Sequence, residues 1–196
     1  MHSWILASAS PRRSELLAGL GLRFDTVVPD VDETPPSAMP PEALAPKLAL
    51  RKCLAVAGSR KDVVVIAADT VVEIDGRILG KPRDIEEAAG MLRTLSGRTH
   101  RVYTGLAVCY EGRSASRTVC TEVAFKALDE TLLGLYLRSG EPLDKAGAYG
   151  IQGAGALLVE SIKGDYFNVV GLPVSALYDL LLKEFDINLF MEASTR

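Results

Sequence analysis

Three groups of residues have the types and spacing for chemistry on a phosphorylated small molecule. The first is Ser8-Ala9-Ser10-Pro11-Arg12-Arg13. Ser10 followed by Pro11 reads as the start of a helix, and the positive end of a helix favours an anion. Arg12 and Arg13 add fork-shaped donors that match phosphate oxygens. The alternative is a pair of solvated first-turn arginines, a placement the helix dipole disfavours. The second group centres on Asp69, which follows six apolar residues, Val63 to Ala68. A carboxylate at the end of a buried strand is costly unless it is paired or metal-bound. That leaves a general base, a metal ligand, a helix cap or an internal salt bridge. Asp32 and Glu33, in a proline-rich stretch, offer either a second carboxylate or plain surface acids. The third group is the loop from Asp144 to Gly153. Its small residues let backbone approach a ligand closely, and Gln152 carries both a donor and an acceptor for the edge of a base. The bland alternative is a flexible crossover. Lys52 and Lys81-Pro82-Arg83-Asp84 add positive charge, and as charges alone they read as solvated.

Several other chemistries do not fit. Gly76 to Pro82 is one residue too short for a P-loop, and Pro82 stands where a magnesium-binding Ser or Thr is needed. The glycines from Gly147 to Gly155 lack the dinucleotide-binding order and precede a strand. There is no G-x-S-x-G elbow. The three cysteines, Cys53, Cys109 and Cys120, form no C-x-x-C, which argues against a disulfide framework and a structural zinc site.

The chain has 196 residues with 22 basic and 25 acidic side chains, a net charge of -3. That balance disfavours a nucleic-acid-coating protein and leaves room for a local basic pocket. No apolar run is long enough to span a membrane, and the start of the chain does not read as a signal peptide. A cytoplasmic location is expected.

The elements that must position these groups alternate. Trp4–Ala7 and Arg23–Val28 read as strands, with a short helix between them opening at Pro11. Residues 29–41, with five prolines, read as a loop before a helix over Leu44–Ala57. Val63 to Ile74 reads as a central strand, and Asp75-Gly76 as a hairpin turn. A helix is expected over Ile85–Leu95, then strands over Thr99–Tyr110 and Ser114–Phe125 joined at Glu111-Gly112-Arg113. Asp129 caps a helix to Leu137, and residues 140–155 read as a functional loop. Ala156–Ile162 and Tyr166–Val170 read as strands, Pro173 opens a last helix to Phe185, and the tail after Asn188 is expected to fray. This order predicts a mixed-sheet α/β fold.

In order and spacing, the blocks together resemble the Maf family of nucleoside triphosphate pyrophosphatases. They are Leu6 to Arg13, Asp32-Glu33, Ala68-Asp69-Thr70, Lys81 to Asp84, Leu95 to His100, Asp144 to Gly153, and Tyr166 with Val170-Gly171-Leu172-Pro173. The resemblance implies one compact domain over residues 1–196, an α/β fold of two lobes with a nucleotide cleft between them, similar to inosine triphosphatases. It implies hydrolysis of a nucleoside triphosphate to the monophosphate and pyrophosphate with a divalent cation, Mg2+ or Mn2+. Asp69 falls on the family's proposed general base. Ser8, Arg12, Arg13, Lys52 and Lys81 fall on phosphate-binding positions, Glu33 and Asp69 on metal ligands, and Arg12, Thr70 and Gln152 on positions linked to substrate choice. The Asp144–Gly153 block is similar to the branch that prefers dTTP and UTP, with modified pyrimidine triphosphates as further candidates. A homodimer is the assembly the resemblance implies. Nucleic acid and membrane are not expected partners. The rival implication is a non-catalytic nucleotide sensor regulating septum formation and cell division. Two departures stand out: Ala9 where relatives often carry glycine, and Cys53 where alanine is common.

Overall fold

In a computed structural model, the described residues are 2–32 and 39–193. They form a mixed α/β fold around one sheet of seven strands in the order β2-β1-β3-β5-β6-β7, with β4 beside β3. β1 (Ser3–Ala7) runs parallel to both β2 (Asp25–Val27) and β3 (Val63–Ile74). β4 (Arg77–Leu79) is antiparallel to β3, and β7 (Val159–Lys163) is antiparallel to β6 (Arg113–Phe125). β5 (Thr99–Tyr110) lies between β3 and β6. Both tight hairpins form where their sequences predict. Asp75 and Gly76 have φ of 52° and 75°, and Glu111 and Gly112 have 50° and 73°. Two successive positive φ values suit the right-handed twist of the flanking strands.

The residues cluster into two compact units. The first comprises residues 1–69, 104–119 and 171–196. Its sheet is covered on one side by α1 (Pro11–Gly19) and α6 (Val174–Phe185), where Trp4, Leu6, Val64, Ile66, Leu172, Leu177 and Leu181 are buried together. On the other side α2 (Pro41–Ala57) sets Ala49, Cys53 and Val56 against Ala7, Val65, Ala67 and Ala107. Alternation along β3 explains the division: Val64 and Ile66 face one way, and Val65 and Ala67 the other. α2 lies so close to β5 that a Cβ on Gly105 would sit 2.2 Å from the Ala45 carbonyl carbon.

α2 begins three residues before its predicted start and contains Pro46. Proline removes the N–H that would bond the carbonyl four residues back, which is that of Glu42. The Thr118 hydroxyl donates to this carbonyl at 2.9 Å instead.

The second unit comprises residues 70–103 and 120–170. α3 (Ile85–Leu95) and α4 (Glu130–Arg138) pack Leu92, Leu95 and Leu133 with Val72, Val102, Phe125 and Tyr149. Both helices are capped by aspartate: Asp84 accepts from the Glu87 N–H and Asp129 from the Leu132 N–H, each at 2.7 Å.

Four expectations change. Tyr166–Val170 is α5, a helical turn rather than a strand. Asp165 accepts from the Phe167 N–H at 2.8 Å and starts the turn, and buried Asn168 donates to the Val102 carbonyl and the Thr121 hydroxyl. The strand expected over Ala156–Ile162 begins only at Val159, because Gly153–Leu158 winds as a 3-10 helix. After Asn188 the chain forms α7 (Leu189–Ala193), whose first turn is capped by the Asn188 side chain accepting from Phe190 and Met191. Glu192 of α7 ties back to the chain start, accepting from the His2 N–H at 3.0 Å. The predicted strand Arg23–Val28 shortens to Asp25–Val27. Among the described residues no helix is long and apolar enough to cross a membrane.

Candidate active site

In the first unit, the residues singled out on β1, α1, α2 and β3 fall into two contacts. Alternation puts Asp69 on the same face of β3 as Val65 and Ala67, the face that α2 covers. Lys52 lies on the α2 face with Ala49, Cys53 and Val56. The result is a buried ion pair with Lys52 Nζ 2.5 Å from Asp69 Oδ1. Lys52 is 7% exposed and Asp69 8%. Of the readings open for Asp69, the salt bridge is present.

The second contact is at the β1–α1 turn. The chain reverses at once after β1, with the Ser8 N–H bonding the Leu6 carbonyl at 3.1 Å. Ser8 is buried, and its Oγ accepts from the Ser10 N–H at 3.1 Å and from Arg13 at 3.3 Å. With both lone pairs engaged, the hydroxyl proton points elsewhere. Ser10 occupies the N-cap of α1 but its side chain does not cap, and no acidic residue lies in the first turn. The positive end of the helix therefore lacks a carboxylate of its own. Arg12 is half-buried in that turn. Arg13 Nε donates to the Gly171 carbonyl at 2.8 Å. This gives the Val170–Pro173 block a structural role that the sequence did not disclose: Gly171, at a φ of 119°, presents its carbonyl to Arg13.

Glu33 lies outside the described residues. The Asp32 carbonyl just before it accepts from Arg51, the neighbour of Lys52 on α2. Ala9 is absent from the non-glycine residues with left-handed backbone, so alanine fits there without strain. Cys53 donates to the Val65 carbonyl at 3.2 Å, and burial beside Cys109 pushes its thiol well above the ordinary value. It is a packing residue rather than a nucleophile. Among the described residues the cysteines are free, with Cys120 exposed.

In the second unit, Thr70 continues β3 directly after Asp69 and is half-buried. Lys81 is exposed and follows β4. The glycine before it holds the predicted functional loop: the Gly147 N–H donates to the Gly80 carbonyl at 3.0 Å. The loop is thus ordered, with 3-10 turns at Glu141–Asp144, Ala146–Ala148 and Gly153–Leu158, and Gln152 is half-buried just before the last. Tyr149 is buried beside His100, with its hydroxyl 2.7 Å from His100 Nε2 and its ring edge-on to Phe125. Burial pushes His100 down to about 4 and raises Tyr149. No cluster of three or more His, Cys, Asp or Glu suited to a metal occurs among the described residues.

A mixed-sheet α/β fold with a buried lysine–carboxylate pair and two arginines in the first turn of a helix has groups that can meet a phosphorylated ligand. The Maf-like protein family model matches residues 3–184, and the chain belongs to that family. The dTTP/UTP pyrophosphatase of Clostridioides difficile (strain 630) is 51% identical over 188 residues, covering 95% of this chain and 97% of that one. The dTTP/UTP pyrophosphatase of Pelotomaculum thermopropionicum is 50% identical over 191 residues, covering 96% and 99%. Among solved structures, the Staphylococcus aureus Ham1 protein aligns over 63% of this chain and 71% of its own, with 14% identity and a TM-score of 0.43.

Proposed function

We propose that this Maf protein is a nucleoside triphosphate pyrophosphatase acting on dTTP and UTP, and that the domain carrying the activity spans residues 1–196. The reading is carried by the buried Lys52–Asp69 pair at the end of β3. It is supported by near-full-length relatives about half identical to this chain that are named for that activity.

A triphosphate brings about four negative charges. Arg12, Arg13, Lys52 and Lys81 supply the opposing charge, and the N-terminal turn of α1 with the Ser8 hydroxyl adds donors. Lys52 fixes Asp69 through Oδ1, so the carboxylate keeps one orientation. Asp69 then aligns a water for in-line attack on the α-phosphorus and accepts its proton. A bond forms from the water oxygen to the α-phosphorus, and the bond from that phosphorus to the bridging oxygen breaks. The bridging oxygen leaves with pyrophosphate, and the nucleoside monophosphate remains. The arginines stabilise the charge that builds on the leaving group.

The donor set fits a hard divalent cation. Mg2+ commonly takes one or two carboxylates and completes its shell with phosphate oxygens and water, so Asp69 with Glu33 would hold it without a dedicated cage. When bound, Mg2+ or Mn2+ supplies charge neutralisation on the phosphates. Thr70 and Gln152 read the pyrimidine edge, and a base with another donor–acceptor pattern leaves them unpaired.

The test is pyrophosphate release from dTTP, UTP, CTP, ATP and GTP, with and without Mg2+ or Mn2+, beside Asp69→Asn. Metal-dependent release from dTTP and UTP that the variant lacks is the expected result. Release confined to other nucleotides would sink the specificity, and nucleotide binding without release would sink the enzymatic reading.

A further inference from the structure

A glutamine is an ambiguous reader. Its carboxamide has a donor end and an acceptor end, and a flip exchanges them. Uracil and cytosine differ at position 4 by that same exchange of acceptor for donor. A turn about the last side-chain bond is enough for that flip, so the backbone does not choose the end; it sets where the Gln152 carboxamide meets the base, and a UTP preference over CTP is lost when that place shifts.

The second unit contains the means to hold it. The Glu141 carboxylate accepts from the Ala154 N–H at 3.0 Å through Oε1 and from the Gly155 N–H at 3.4 Å through Oε2. On the other side of Gln152, the Gly150 N–H donates to the Tyr136 hydroxyl at 3.3 Å. The two sides close on each other, since a Cβ on Gly155 would lie 2.1 Å from the Gly150 carbonyl oxygen. Glu141 is itself held: its carbonyl accepts from Lys145 Nζ at 2.8 Å, and its N–H donates to the Ser139 hydroxyl at 3.2 Å. The stem of Lys145 packs so tightly on Gly150 that a Cβ there would fall 2.8 Å from it.

We infer that Glu141 is a positioning residue for base discrimination, its carboxylate clamping the Gly153–Gly155 backbone so that the Gln152 carboxamide meets the pyrimidine at a fixed place. The inference rests on the assignment of Gln152 as the base reader. The role assigned to Glu141 needs no contact with substrate and no proton transfer. It acts through two backbone N–H groups, and a carboxylate suits that task because both its oxygens accept.

The experiment compares kcat/KM for UTP and CTP in the wild-type chain and in Glu141→Ala, Glu141→Gln and Gln152→Ala. Glu141→Ala is expected to shrink the UTP:CTP ratio by about tenfold, the scale of losing hydrogen bonds to a charged group. The change should lie in KM for UTP, with kcat within about threefold. Glu141→Gln keeps one carbonyl acceptor and should fall between that variant and the wild-type chain. If Gln152→Ala keeps the wild-type ratio, the base-reading assignment fails. If Gln152→Ala loses the ratio while a folded Glu141→Ala keeps it, the positioning inference fails. A Glu141→Ala that lowers kcat for both nucleotides alike at an unchanged ratio has a structural role only, which also overturns the inference. Should Glu141→Ala not fold, Glu141→Gln decides, and an unchanged ratio there counts against it.

Discussion

Lys52 and Asp69 neutralise each other at 2.5 Å on a face of the sheet lined by Ala7, Val65 and Ala67. Removing one partner leaves the other as an uncompensated buried charge, at a cost of about 3–5 kcal/mol. Lys52→Met should therefore lower stability by about that much in urea titration. Asp69→Asn keeps an oxygen for the ammonium and should lose less. Its turnover should fall by about 10²–10⁴, the usual contribution of a positioned base, while nucleotide binding persists. An Asp69→Asn enzyme with near-normal turnover would remove Asp69 from the mechanism.

His100 makes stability depend on pH. Burial holds it down to about 4 against an ordinary 6.5, so the folded chain binds this proton less readily than the unfolded chain. The contribution is complete above pH 6.5 and is lost as pH falls towards 4. At about 1.4 kcal/mol for each pH unit of that displacement, the loss is about 3 kcal/mol. From pH 7 to 4 the wild-type chain should lose about that much more unfolding free energy in urea titration than His100→Gln. Parallel curves would mean that His100 does not titrate in this way.

Much of this was legible in the sequence. The apolar run ending in Asp69, the hairpins at Asp75-Gly76 and Glu111-Gly112, and the aspartate cap of α4 are local signals, and each formed as read. Tyr166–Val170 was misread because a short apolar run has no period of its own, and what makes it helical is the Asp165 cap with the distant partners of Asn168. The pairing of Lys52 with Asp69 and of Arg13 with Gly171 joins residues 17 and 158 positions apart, a relation that no local spacing expresses. Glu141 carried no motif at all, and only the folded loop reveals what its carboxylate holds.

Metal dependence should be tied to nucleotide. With no cluster of three or more ligating side chains among the described residues, Mg2+ alone should leave the thermal midpoint nearly unchanged. A non-hydrolysable dUTP analogue at a hundred times its Kd adds about 2.7 kcal/mol, or about 5–10 °C for a chain of this size. That shift should shrink when a chelator is added. A large midpoint rise with Mg2+ and no nucleotide would point to a preformed metal site.

Gly105→Ala tests how α2 is seated. The added methyl would meet the Ala45 carbonyl carbon at 2.2 Å and the Pro46 nitrogen at 2.3 Å, both backbone atoms that no rotamer change can move. The expected loss is about 3 kcal/mol or more. Because α2 carries Lys52, activity should fall along with stability. A variant as stable and active as the wild-type chain would show that α2 shifts freely.

The composition of the first unit bears on how the chain is made. It is interrupted twice, and its last stretch begins at Gly171. Leu172, Leu177 and Leu181 belong to that stretch, and they cover Trp4, Leu6, Val64 and Ile66. During synthesis at about 5–20 residues per second, those early apolar residues leave the ribosome many seconds before their cover exists. The second unit draws all its residues from before that point. Until Leu172, Leu177 and Leu181 follow, the early strands of the first unit form a sticky, unfinished core that depends on chaperones.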